Sequence, residues 1–349
     1  MPHTARRAFV YAKSCGILAK SLLWGRRAEL TAAAGLETLA ALTNCTGKTP
    51  DALEKEFRAH AEKQTLDLLK ALSAPNDGAP RLPAALWRKQ EAADLSRVLT
   101  ALSVGEAECP VNGSLERFIP RAKSGEAAVY FPAYPDLRSM LNNTPYMALI
   151  PALTAAVEKS FLSENYIHFQ SEVNKAYWNY FFRVLRETPR RECILLTKMI
   201  YDEIAMQNTA WALRLRIYYG MDAAAIEAFF VEPPNVPQPL ARAARQSLRL
   251  AADHRGEWAG WKYAAFLNPE KSGGAWQLDP RYFQNKAALY LFRKAYSAFH
   301  RCPFTLDSAA CFIYIKQMET QILTGIAEGL ALGIAPAEIL RMFEMEDAQ

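Results

Sequence analysis

The chain has 349 residues, 51% of them hydrophobic, and a formal net charge of +5 from 41 basic and 36 acidic side chains. That much apolar material buries sizeable cores and excludes disorder, and so small a basic surplus on so large a surface does not point to nucleic acid. Six scattered cysteines, five dispersed histidines and no unbroken apolar run of about 18 residues predict reduced packing thiols, no zinc centre and no transmembrane span, as in a cytosolic protein.

The opening stretch sets basic residues ahead of a partly apolar run, but Lys13 and Lys20 interrupt that run and no small-residue cleavage site follows. It is expected to be an amphipathic helix rather than a signal peptide. From Phe9 to about Leu42 apolar residues recur every three or four positions, which predicts a helical hairpin or pair with breaks at Gly25 and Gly35. Thr49 followed by Pro50 and two nearby acids is an N-cap pattern for a helix over Pro50 to Ser73. After the loop Ala74 to Pro80 a helix is expected from about Pro83 to Ser103, and the irregular stretch Cys109 to Gly125 places a unit boundary near residue 110.

Further helices are predicted over Pro135 to Asn142, Pro145 to Leu162, Ser163 to Glu187 and Pro189 to Tyr219. Four prolines between Pro233 and Pro239 rule out helix and mark a linker after Phe230. The last unit resumes at Leu240, and Gly273-Gly274 suggest a mobile edge in the loop Asn268 to Pro280. Only Ala127 to Phe131 has strand-like character. The fold class is therefore all-α.

Two runs are built alike: Tyr201 to Phe230 and Tyr314 to Phe343. They share Tyr201 with Tyr314, Gly220 with Gly333, Ala224 with Ala337, Ile226 with Ile339 and Phe230 with Phe343, while Asn208 faces another amide, Gln321. A fainter copy begins at Leu86 and Trp87 and closes on Gly105, so the copies start roughly 115 residues apart. That spacing predicts three helical units, 1–110, 111–232 and 233–349, in a pseudo-threefold body.

Catalytic patterns are missing: there is no G-x-S-x-G, H-E-x-x-H, P-loop or G-x-G-x-x-G. His168 with Glu164 and Glu172 one turn either side could line a metal-binding helix face, but an exposed polar stripe has the same spacing. Asp202 and Glu203 are adjacent acids with none following one turn later, a pattern explained by the helix macrodipole better than by Mg²⁺ chelation of the terpene-synthase kind. The aromatic run from Tyr166 to Phe182 is expected to be helix packing.

The opening AFVYAKSCGILAKSLL, the element LNNTPY at Leu141 to Tyr146, the helix YDEIAMQNTAWALRLRIYYGM and the closing METQILTGIAEGLALGIAPAEIL together resemble the C-type subunit family of the A/V-type ATP synthases, the counterpart of the V-ATPase d-type subunit family. Glu203, Asn208, Leu213, Arg214 and Gly220 fit the family's repeated helix. The last copy keeps Glu319, Ile326 and Gly333, with Gln321 and Ala327 departing from the pattern; Asp94, Arg97 and Gly105 fit loosely in the first. The resemblance implies a funnel of three units without catalytic residues, cofactor or metal, one copy per complex. It would be a socket that couples the central-stalk shaft to the membrane rotor ring, cytoplasmic and peripheral to the membrane. The residues put forward for structural or partner contact are Tyr201, Glu203, Asn208, Arg214, Tyr314 and Glu319. The alternatives are a metal-dependent helical enzyme, or a helical scaffold, for which no short repeat is present.

Overall fold

Where each helix starts and stops follows from a few backbone requirements. In the computed structural model, which describes residues 3–73, 81–89, 92–93, 95, 108–109, 129–130, 146, 162–236, 239–270 and 275–342, helix α1 runs His3–Ala19. Gly25 then lies against it so closely that a Cβ would sit 1.8 Å from the Ala19 carbonyl oxygen, and only glycine fits that turn. Helices α2 (Arg27–Thr31) and α3 (Leu36–Thr43) follow, with Gly35 as the extended N-cap of α3. Both glycines break the helical pattern as expected, giving three helices where the periodicity suggested two.

Helix α4 (Pro50–Leu72) begins as its sequence dictates. Thr49 Oγ1 accepts from the Ala52 amide at 3.3 Å, and proline at the first position loses no hydrogen bond. Helix α5 spans Arg81–Trp87, and Lys89, Ala92, Ala93 and Leu95 are also helical. Val129–Tyr130 forms a two-residue antiparallel ladder with Glu108–Cys109, inside the one segment with strand character. The helix expected over Pro135 to Asn142, nearly all of the one over Pro145 to Leu162, the boundary near 110 and Gly105 lie outside the described residues. The remaining elements among the described residues are helices, and the fold is all-α.

Helix α6 covers Leu162–Glu187, and most of the aromatic run on it is buried: Phe169, Tyr177, Trp178, Phe181 and Phe182. A single helix was expected from Pro189, but Arg190–Glu192 is a 3₁₀ turn and α7 starts at Ile194, running to Tyr219. The reason lies far along the chain. Asp307 accepts from the Leu195 and Leu196 amides at 3.0 Å each, satisfying two of the donors that a helix start leaves open.

Helix α7 closes on Gly220 at φ +61, and short helix α8 (Ala223–Glu227) follows. After the linker come α9 (Arg242–Ser247), α10 (Pro280–Arg301), α11 (Leu306–Ala331) and α12 (Pro336–Met342). Gly333 at φ +77 separates the last two, so Gly220 and Gly333 are the positive-φ glycines among the described residues. Glycine takes this conformation without a Cβ clash. The repeat in the sequence is thus a repeat in backbone: long helix, left-handed glycine, short helix. Phe343, which closes the second copy, lies outside the described residues.

The expected edge loop is stitched by one side chain. Asn268 Oδ1 accepts from the Asp279 amide at 3.0 Å and its Nδ2 donates to the Gln277 carbonyl at 2.9 Å; Gly273-Gly274 lie outside the described residues. One continuous apolar cluster, from Val10 to Leu340, draws on all three proposed units. Its centre is α11, which packs on α10 and α4 most extensively and also meets α1, α3, α5, α7 and α12.

Candidate functional site

The α5 segment, α7 and α11 meet at a buried carboxylate. Glu203 on α7 is only 6% exposed. Its Oε1 accepts from Lys89 Nζ of the α5 segment and from the Tyr314 hydroxyl of α11, the latter at 3.5 Å. The Lys89 ammonium also lies 5.3 Å from the centroid of the Tyr314 ring and 5.8 Å from that of Trp178, so aromatic faces supply part of the hydration it gives up. Burial, and the Glu203 charge next, push the Tyr314 hydroxyl well above the usual tyrosine range. The phenol therefore stays protonated and can only donate to the carboxylate. Glu203 Oε2 is buried without a hydrogen-bond partner among the described residues, so there this oxygen depends on the neighbouring ammonium for its stabilisation.

Polar side chains bind the same junction together. Tyr177 donates to the Ala85 carbonyl at 3.3 Å, Gln317 Nε2 to the Leu86 carbonyl at 3.3 Å, and Trp178 Nε1 to Gln207 Oε1 at 3.0 Å. Beside it opens a cavity of about 640 Å³ bounded by α4, α5, α6, α7 and α11. Five amides line it, Gln170, Asn174, Gln207, Gln317 and Gln321, with Lys89, Tyr314, Glu328 and the Glu54–Arg58 ion pair. Such a wall offers donors and acceptors in all directions, with charges of both signs among them.

A family model described as ATP synthase (C/AC39) subunit matches residues 39–342. The chain belongs to that family. It is also similar to an uncharacterized protein of Treponema pallidum (strain Nichols), 25% identical over 194 residues that make up 51% of this chain and 54% of the relative. The chain thus spans about half the length of the curated relative it matches.

Within this C/AC39-family chain the six residues singled out from sequence fall into four groups. Glu203 and Tyr314 belong to the junction. Asn208 and Glu319 are buried, at 1% and 4% exposure, and have partners inside the chain: Asn208 pairs with both backbone groups of Val231, and Glu319 accepts from Ser21 and Lys316. Tyr201 is half-buried and stacks on Phe182 at 5.9 Å. Arg214 alone is exposed, on a second cavity with Tyr218, Trp276 and Tyr282. The matched amides of the repeat therefore do different things, since Gln321 is exposed on the first cavity while Asn208 is sealed in.

Lys89 was missed by sequence reasoning. The available signal was its place in the faint first copy, one position beyond the residue that matches Glu203 when Leu86 is set on Tyr201. Asp202, the acid of the chelation alternative, is tied to Lys294 and receives the Tyr290 hydroxyl at 3.2 Å. His168 is exposed and lies edge-on to Phe229, and Glu172 pairs with Lys175 at 2.8 Å. Among the described residues no group of three or more His, Cys, Asp or Glu is placed to hold a metal, and no helix is long and apolar enough to cross a membrane.

Proposed function

We propose that this chain is a central-stalk subunit of a V/A-type ion-translocating ATPase or ATP synthase, acting as a socket that couples the stalk shaft to the membrane rotor ring. The observation that carries this reading is the family match across residues 39–342. Units 1–110, 111–232 and 233–349 would form the wall of a funnel about a pseudo-threefold axis, and the amide-lined cavity would be its mouth. The cavity supports that role, because it sits where helices of all three units converge and has room for the side chains of a helix end. Torque transfer needs stiffness rather than chemistry, and a close-packed aromatic core crossed by buried ion pairs supplies it. In this reading the protein has no catalytic role of its own, binds no cofactor, and is peripheral to the membrane through the ring. The six residues named from sequence would then serve to hold the socket's shape, with Arg214 free to reach a partner.

The test is purification of the tagged chain from host membranes in mild detergent, followed by mass spectrometry. Recovery of rotor-ring, stalk and large nucleotide-binding subunits is the expected result. A clean monomer would overturn the reading.

A further inference from the structure

Between α10 and α11 the chain turns through Cys302, Pro303, Phe304 and Thr305, and Phe304 has φ +68. A bulky aromatic residue is strained in that region, whereas glycine or asparagine would take the turn readily. Its surroundings hold the strained form in place. Thr305 Oγ1 donates to the Cys302 carbonyl at 2.7 Å, Arg7 donates to the Phe304 carbonyl at 3.4 Å, and the Phe304 ring meets Tyr11 edge-on at 5.6 Å. Yet the ring remains 45% exposed. Backbone strain maintained to present a side chain outward is a mark of use.

Ile194 stands close by, because Asp307 of the next helix caps the start of α7, and it too is 45% exposed. Arg190 and Arg191, just before Ile194, and Arg301, at the end of α10 just before the turn, are exposed. The carboxylates of the same end are engaged: Glu192 pairs with Arg7 at 2.7 Å, and Asp307 is buried at the α7 terminus. We propose that this end of the molecule docks on an anionic phospholipid surface, with Phe304 and Ile194 entering the headgroup layer and the three arginines facing lipid phosphates. An acidic protein face would engage the arginines alone. Two projecting apolar side chains on rigid backbone, with cations just before them in the chain, match the boundary between headgroups and acyl chains. The patch precedes α11, while the cavity residues Tyr314 to Glu328 lie about 12–33 Å further along that helix at its 1.5 Å rise per residue, so both can be occupied together.

The test uses the isolated 349-residue chain and needs no stalk or ring, so it fails or succeeds apart from the rotor reading. The chain is sedimented with phosphatidylcholine vesicles with and without phosphatidylserine, at low and raised salt. About tenfold more protein is expected on the phosphatidylserine vesicles, falling with salt. Arg191→Glu combined with Arg301→Glu should remove that gain. Phe304→Gly should lower binding several-fold without lowering Tm, since glycine accepts the turn. Equal sedimentation with both vesicle types, or binding indifferent to these variants, overturns the proposal and leaves an acidic protein face as the occupant.

Discussion

Both ends of the Asn208 amide are used on one residue. Its Nδ2 donates to the Val231 carbonyl at 2.9 Å and its Oδ1 accepts from the Val231 amide at 2.8 Å, just before a linker whose prolines can donate nothing. Asn208→Ala leaves two buried backbone groups without partners and is expected to cost about 2–4 kcal/mol, measured by urea denaturation; an unchanged midpoint would mean that water takes the amide's place. Asp307 gives a pH dependence. Burial raises its pKa, and the Leu195 and Leu196 amides offset that only in part. A carboxyl whose folded pKa exceeds its unfolded value binds its proton more tightly in the fold, so its contribution is fully present below the unfolded value near 4 and is lost as pH rises through the raised one. Tm of the wild type should therefore decline on leaving the acid side of that window more than Tm of Asp307→Asn, whose amide does not titrate. Parallel curves would show that the capping bonds cancel the cost of burial.

At the scale of elements, the two copies differ in how the short helix is seated. A Cβ on Gly329 of α11 would lie 2.0 Å from Ile339 Cδ1 on α12, so the last helix lies directly on a bare patch of backbone. Gly329→Ala should cost about 1–3 kcal/mol through overpacking, and Ile339→Val, which removes that methyl, should restore part of it; no rescue would show that the clash is absorbed elsewhere. The matching position in α7 is Arg216, which instead reaches the Ser247 and Leu250 carbonyls at 2.8 and 2.7 Å. Local chemistry made much of this visible in advance. Thr49-Pro50, Gly25, Gly35, Gly220 and Gly333 each act on their own few residues, and each sits where its pattern implied. The start of α7 was not legible, because the group that sets it, Asp307, lies 111 residues beyond Leu196. Lys89 carried only the faint signal of its place in the first copy, since an isolated lysine looks solvated until another helix brings a buried carboxylate to it.

For the molecule as a whole, α11 is the element on which the others depend. It is 26 residues long, and its N-terminal two-thirds is buried almost all round, touching elements from both ends of the chain. Its central amides should be the last to exchange hydrogen, at the free energy of global unfolding. A fragment of residues 1–236 should keep helical circular dichroism yet melt without cooperativity, because α4 and α5 would face water where α11 belongs; a sharp transition in that fragment would mean that the first units have sufficient cores of their own. The order of synthesis then matters. Helix α4 is complete at Leu72 and α11 at Ala331, and a ribosome adding roughly 5–20 residues per second takes about 10–50 s to cover that gap. For that time the apolar face of α4 waits for a helix not yet made, and the nascent chain needs a chaperone's cover, or early neighbours, until its hub emerges.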